Sequence, residues 1–199
     1  EGTERTSAEA VAEAADVAPG DPLAWFDTAA AEAAVEALPW VDEATIQRAW
    51  SGSVTVEVTE RVAVAALATA DGAWSLADGE GRVLATVDAE PTDVARVEGV
   101  TTSAPPGAQL DDEVLEALEV AAAVPSGIRA EVAAVQGSGA ALVVVLRAGG
   151  EIVLGGVDEV DAKLDAAAAV LANVSPACVD RLDVTLPAAP ALVRVPGCG

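Results

Sequence analysis

The residues from Leu38 to Leu67 constrain the fold of this chain more than any other segment. They include a turn at Ser51-Gly52, followed by a stretch from Ser53 to Thr59 in which valines alternate strictly with threonine or glutamate. Alternation with a period of two predicts a half-buried β-strand. A preceding strand, from about Ala44 to Trp50, is expected to pair with it as a hairpin.

The second strand of this hairpin is followed by Glu60-Arg61 and then at once by another apolar stretch, Val62 to Ala68. No turn residue separates the two. The sequence therefore predicts that one strand leaves a first sheet and continues directly into a second sheet, an arrangement that would couple two small domains stiffly.

Two helices are predicted before the hairpin. The first begins at Thr6 or Ser7 and ends at Pro19-Gly20, and the second follows Asp27 as its N-cap and runs to Leu38. The amino-terminal part of the chain thus reads helix, helix, strand, strand.

Composition excludes several classes of protein. With 33 acidic and 10 basic residues, the net charge of −23 argues against binding to nucleic acid or to an anionic lipid surface. The longest apolar runs have about seven residues, whereas a membrane-spanning helix needs roughly 20. We therefore expect any membrane anchor to lie outside this chain. The charge favours solubility, with a partner that presents a basic face as the alternative.

The residues favour no catalytic chemistry. The chain has no histidine, which removes Ser-His and Cys-His nucleophile systems. The glycine turns match neither the phosphate-binding loop nor the dinucleotide fingerprint. Acidic pairs are frequent, but they stand at predicted helix starts, where the helix dipole accounts for them. We expect no catalytic residue, no cofactor and no metal site; a secreted acidic hydrolase with a carboxylate pair remains an alternative.

The second part of the chain, from Val62 onward, is predicted to contain both strands and helices. A hairpin over residues 74–83 is followed by an irregular segment over residues 88–110. The remaining predicted elements are a helix from Asp111, strands at Ile128 to Val135, Ala140 to Arg147 and Glu151 to Leu154, a helix capped by Asp158, and a final hairpin. The predicted fold class is α+β.

Two cysteines, Cys178 and Cys198, flank the final hairpin. Pairing Leu186 with Ala191 places Val184 opposite Val193 and Leu182 opposite Val195, so that all six share one face. In that register the cysteines meet near the open end of the hairpin. A disulfide there would indicate an oxidising, extracytoplasmic location; two unrelated free thiols are the alternative.

Several motifs together resemble the FtsQ/DivIB family of bacterial cell-division proteins. They are Leu38-Pro39-Trp40-Val41, Arg48-Ala49-Trp50-Ser51, Val54 to Val58, Glu60-Arg61-Val62-Ala63-Val64-Ala65, and the run Leu142 to Gly155 followed by Lys163-Leu164. Ser51 and Ala63 replace two prolines of the family pattern. The high alanine content and the preference for arginine over lysine suit an actinobacterial source.

The resemblance implies a POTRA-like domain over residues 1–61, with its first strand before Glu1, and a mixed, mainly antiparallel β-domain with flanking helices over residues 62–199. It implies a bitopic membrane protein whose two domains lie on the extracytoplasmic face of the plasma membrane, at the division septum. Trp50, Glu60 and Arg61 would fix the domain junction.

The resemblance also implies a non-enzymatic scaffold that binds FtsB/DivIC-type and FtsL-type proteins and helps to regulate septal peptidoglycan synthesis. It further implies that this binding occurs partly by strand addition at the last strand, whose exposed edge is predicted here for residues 191–195. The expected partner-binding residues are Leu186, Ala188, Ala189, Ala191, Leu192, Val193, Arg194 and Val195. A short edge protected by Arg194 and its flanking prolines, without a partner, is one alternative; a POTRA module of a transport system is another.

Overall fold

The computed structural model describes residues 4–18, 20, 26–49, 52–137 and 139–198. The α-helices in these ranges are α1 (Ala8–Ala14), α2 (Thr28–Glu36), α3 (Asp112–Ala123), α4 (Ser126–Arg129) and α5 (Val160–Leu171). The strands are β1 (Val41–Arg48), β2 (Val54–Glu60), β3 (Ala65–Thr69), β4 (Trp74–Ala77), β5 (Val83–Val87), β6 (Ala95–Thr102), β7 (Val132–Gln136), β8 (Leu142–Leu146), β9 (Glu151–Gly155), β10 (Val179–Asp183) and β11 (Ala191–Arg194).

The amino-terminal unit packs α1 and α2 against the antiparallel hairpin β1–β2. Its two helices start as their sequences predict: the Ser7 hydroxyl accepts a hydrogen bond from the Ala10 N–H, and the Asp27 carboxylate accepts one from the Ala30 N–H. Such caps satisfy backbone donors that a helix start leaves free. Val35 and Val41 are fully buried in the small core that results.

The prediction of one strand running through Arg61 without a break is wrong. Strand β2 ends at Glu60 and β3 begins only at Ala65, so the intervening residues form a short extended connection. The Arg61 N–H donates to the Trp40 carbonyl, and the Val64 N–H donates to a carbonyl of β4. Val62 projects into solvent with 66% of its surface exposed.

A nine-stranded sheet dominates the rest of the chain, in the order β11-β10-β9-β8-β7-β6-β3-β4-β5. Its pairs are antiparallel except β3–β6, β6–β7 and β9–β10, which are parallel. Helices α3 and α5 cover one face, where Leu67, Leu118, Val144 and Leu164 are buried in a single core. The predicted fold class, α+β with a mixed, mainly antiparallel sheet and flanking helices, is confirmed.

Strand β6 contradicts the prediction of an irregular segment over residues 88–110. It lies in the interior of the sheet, parallel to both of its neighbours. Its two valines, Val97 and Val100, both pack against the core although they are three residues apart, because the register with β3 shifts around Gly99, whose φ is +87°. A bulge of this kind hides the period of two by which a strand is recognised.

Several predicted element boundaries also change. The strand expected from Ala140 begins at Leu142, after a 3₁₀-helix over residues 139–141. The strand expected from Ile128 begins at Val132, because Pro125 initiates the short helix α4. Asp158 does not cap α5; Glu159 occupies that position at a φ of +52°. Asp158 instead forms an ion pair at 3.2 Å with the buried ammonium of Lys163.

Candidate partner-binding edge and domain junction

Strand β11 is the outermost strand at one end of the large sheet, and its pairing corrects the predicted register. Leu182 lies opposite Leu192, not opposite Val195, so the prediction is wrong by three residues. A shift by an odd number exchanges the two faces of a strand. Val193 consequently lies opposite Arg181, on the face of the sheet away from the core, whereas Leu192 packs against the core.

The cause of the new register is the departure of the chain after Asp183. The Val184 N–H donates to the Val153 carbonyl at 3.0 Å, and Val184 is fully buried, so this residue stays with β9 and the core. The Asp183 carboxylate accepts hydrogen bonds from the hydroxyl and the N–H of Thr185, which turn the chain and lower the pKa of Asp183. Leu186, predicted to pair with β11, is 70% exposed instead.

The backbone of β11 presents one row of groups to β10 and another row outward. The Val195 N–H donates to the Cys178 carbonyl, which fixes the inward row. Backbone groups alternate sides along a strand, and the irregularity in this pair lies on β10. Val193 and Ala191 therefore face β10, while the backbone groups of Leu192 and Arg194 face away from the sheet.

The predicted partner-binding residues are brought together at this edge, with different exposures. Val193 is 52% exposed and Val195 36% exposed, whereas Leu192 is half-buried. The other exposed members of the set are Leu186, Ala188, Ala189, Ala191 and Arg194. Among the residues that the structure describes, no strand lies beyond β11.

A disulfide bond joins Cys178, which precedes β10, to Cys198, which follows β11. Next to it, the Cys198 N–H donates to the Val195 carbonyl at 3.2 Å. The disulfide and these backbone contacts close the open end of the hairpin, opposite the loop over residues 184–190.

The junction between the two cores is built around Arg61. Its guanidinium lies 2.7 Å from the Asp78 carboxylate, 2.8 Å from that of Glu80 and 3.1 Å from that of Asp42. Its Nε also donates to the Val41 carbonyl at 3.0 Å. Burial opposes the charge, but the hydrogen bonds to Glu80 and Asp78 raise the pKa of Arg61 above its usual range. The guanidinium thus links β1 to the β4–β5 turn.

A second arginine of the β4–β5 turn reinforces this link. The Arg82 guanidinium donates to carbonyls at the end of α2, at 2.8 Å for Ala37 and 3.3 Å for Glu36. A cation at a helix C-terminus satisfies free carbonyls and favours the helix dipole. Sequence reasoning missed both Asp78 and Arg82, because the segment reads only as a glycine turn; their partners come from distant parts of the chain.

Glu60, also assigned to the junction, binds the segment that precedes α1. Its carboxylate accepts hydrogen bonds from the backbone N–H groups of Glu4, Arg5 and Thr6, at 2.7–3.1 Å. Partial burial would raise the pKa of Glu60, but these three donors outweigh it and lower that pKa below its usual value of 4.5. Trp50, the remaining residue of the predicted junction, lies outside the described residues.

Acidification is therefore expected to release the amino-terminal segment. A carboxylate whose pKa is lowered by folding stabilises the folded state. This contribution is fully present above the usual pKa of 4.5 and is lost as the pH falls through the lowered pKa of the folded state. In an NMR titration, the amide protons of Glu4, Arg5 and Thr6 should shift together with one midpoint below 4.5. Glu60→Gln should abolish this common transition, and Glu57→Gln, an exposed change on the same strand, should leave it intact. Three different midpoints for these amides would contradict the conclusion that the Glu60 carboxylate binds all three of them.

Comparison with known proteins identifies relatives among cell-division proteins. Residues 1–61 match the family model of the FtsQ-type POTRA domain, so the POTRA-like assignment of the amino-terminal part is confirmed. The chain is 31% identical over 198 residues to cell division protein FtsQ of Streptomyces collinus, a match covering 96% of this chain and 74% of that protein. It is 35% identical over 134 residues to FtsQ of Streptomyces coelicolor, covering 64% of this chain.

The chain spans about half the length of the Streptomyces coelicolor relative, 50% of which is matched. Both organisms are actinobacteria, in agreement with the source that the composition suggests. A solved structure, the major extracytoplasmic domain of the cell division protein DivIB from Geobacillus stearothermophilus, aligns with a TM-score of 0.43 at 17% identity, over 57% of this chain and 93% of that one. Within the described ranges, none of the helices has the length and apolar character needed to cross a bilayer.

Proposed function

This chain belongs to the FtsQ/DivIB family of bacterial cell-division proteins, and we propose that it is a non-catalytic scaffold of the division machinery. In this proposal it binds FtsB/DivIC-type and FtsL-type proteins and so helps to regulate septal peptidoglycan synthesis. Its two domains lie on the extracytoplasmic face of the plasma membrane at the septum, and a transmembrane helix outside this chain anchors them.

One observation carries the proposal: the outward row of backbone groups on β11. An added strand needs free N–H and C=O groups at a sheet edge, and the backbones of Leu192 and Arg194 face away from the sheet. The alternating side chains fit the same mode, because Val193 is exposed on the face away from the core. Of the four large apolar residues that are exposed in the described part of the chain, three lie in or beside the last hairpin: Leu186, Val193 and Val195.

The opposite end of the sheet is less suited to strand addition. The Val83 backbone of β5 is already bonded to the segment over residues 107–108, and the pairing of β5 with β4 is interrupted by a register shift. Bulged and covered edges are poor templates for another strand. The contrast between the two ends of the sheet favours β11 as the strand to which a partner strand is added.

We also propose that the chain divides into domains at residues 1–61 and 62–199. Two separate apolar cores support this division, one drawn from residues 11–58 and the other mainly from residues 65–184. Arg61 and Arg82 then hold the domains in a fixed relation, so that the edge at β11 keeps a defined position relative to the amino-terminal end of the chain.

The proposed edge is tested by replacing Arg194 with proline. Proline lacks the N–H and places its ring where the added strand would bind. Calorimetric titration with the extracytoplasmic C-terminal segment of the cognate FtsB/DivIC-type protein should show a loss of about tenfold or more in affinity, since an unpaired acceptor on the partner strand costs about 1–3 kcal/mol.

Arg194→Ala is the matched control, because it removes the same side chain and keeps the N–H. It should bind within a few-fold of the unmodified chain. Equal affinities for the alanine and proline variants, both folded by thermal melting, would place the binding site elsewhere. Failure of the unmodified chain itself to bind would remove the β11 edge as the site for this partner.

A further inference from the structure

Strand β11 contributes little to the packing of the sheet. Its pairing with β10 spans only four residues on each side, and Leu192 is its only side chain that packs against the core. Ala191, Val193 and Arg194 are exposed. Apolar burial is the main stabilising contribution to folding. Side-chain packing therefore stabilises the position of β11 only weakly.

Strand β10, in contrast, is anchored without help from β11. Val179, Leu182 and Val184 are buried, and β10 pairs in parallel with β9 on its other side. Loss of β11 would therefore leave the core and the remaining eight strands in place.

The Cys178–Cys198 disulfide supplies the restraint that packing does not. It links the residue before β10 to the end of β11 and closes a loop with a sequence separation of 20. Such a crosslink removes much of the conformational freedom that a detached β11 would gain. Both cysteines are half-buried, so neither residue is fully enclosed by the fold.

We propose that this disulfide is a redox switch on the binding edge: its reduction by a dithiol releases β11 from β10 and withdraws the edge from the partner. The partner-related part of this inference rests on the proposed function, whereas the release of β11 does not.

The chemical step is thiol–disulfide exchange. A thiolate of the dithiol attacks one cystine sulfur and forms a mixed disulfide, while the other cysteine leaves as a thiolate. The second thiol of the reductant then displaces the first cysteine. The dithiol is oxidised to its own disulfide, and the cystine gains two electrons and two protons.

The release of β11 can be measured on the chain alone. NMR hydrogen exchange is compared for the oxidised chain, the chain reduced with dithiothreitol, and the double variant Cys178→Ser/Cys198→Ser. The inward-facing amides of Val193 and Val195 should exchange about tenfold faster or more after reduction and in the variant. The Val184 amide, which bonds to β9, should be unchanged, and dithiothreitol should have no effect on the variant. Unchanged exchange of Val193 and Val195 would overturn the proposal.

The effect on binding is measured with the same FtsB/DivIC-type segment. The oxidised chain should bind about tenfold more tightly or more than the reduced chain and the double variant. Release of β11 with unaltered affinity would overturn its role as a switch. If the oxidised chain does not bind, the proposed function fails at this edge and the switch fails with it, while the exchange experiment alone still decides whether the disulfide holds β11.

Discussion

Replacing Arg61 with alanine is expected to lower the free energy of unfolding by about 3 kcal/mol. The Arg61 side chain is only 15% exposed and that of its closest partner, Asp78, only 7%. Removal of one member of such a pair leaves the other charge in a poorly hydrated site without its counter-ion. Two N–H groups, of Glu80 and Arg82, still donate to the Asp78 carboxylate, so we expect the lower end of the range that buried pairs show.

Arg96→Ala is the matched control for Arg61→Ala. Arg96 also forms ion pairs with two carboxylates, those of Glu90 and Glu98, but all three side chains are 34–49% exposed. Exposed ion pairs typically contribute less than about 1 kcal/mol. Urea unfolding should therefore separate the two variants clearly. Similar losses for both would show that Arg61 acts as an ordinary surface cation and does not fix the junction.

The Arg61 variant should also lose coupling between the two cores. In the unmodified chain, Arg61 and Arg82 tie the β4–β5 turn to β1 and to the end of α2, so the cores are expected to unfold together. Without Arg61, amides in β1 and β2 should exchange faster than those in β7 and β8. This difference in exchange would appear even if the total loss of stability were small.

Local patterns predicted the elements whose signals lie within a few residues. Asp27 stands where an N-cap should, and the valines of β2 alternate as a half-buried strand requires. Strands β8 and β9 were also recognisable, because glycines bound their apolar runs. In these segments the local preference and the final fold agree. Strand β7 was predicted to begin four residues too early, and Ser138 of the predicted turn after it lies outside the described residues.

The errors arise where distant residues decide the structure. Strand β6 was missed because its bulge around Gly99 replaces the period of two. The register of β11 was wrong because a bond from Val184 to β9 ends the hairpin earlier than the apolar pattern suggests. The partners of Arg61 and Arg82 belong to segments up to 46 residues away, and nothing in the turn itself reveals them. The candidate edge could be located from the sequence, but the direction of its backbone groups could not.

Gly150→Ala should be among the most damaging single changes to the candidate edge, although Gly150 lies outside it. This glycine has a φ of +82° in the β8–β9 turn, and a Cβ there would lie 2.0 Å from the Val179 carbonyl oxygen. The obstacle is backbone at the start of β10, which cannot move aside as a flexible side chain could. We expect Gly150→Ala to lower the free energy of unfolding by about 3 kcal/mol, because alanine there suffers both the clash and the cost of the left-handed conformation.

Gly149→Ala separates these two causes. Gly149 has a similar φ of +91°, but a Cβ added to it would meet no atom of the described residues within 4 Å, its chain neighbours aside. Gly149→Ala should therefore lower the free energy of unfolding by only about 1 kcal/mol, the cost of the backbone conformation alone. Because the clash at Gly150 pushes on Val179, only Gly150→Ala should shift the amide resonances of β10 and weaken the proposed binding of an FtsB/DivIC-type segment. Equal losses of stability for the two variants would mean that β10 moves aside without cost and that the contact between Gly150 and Val179 does not fix the position of β10.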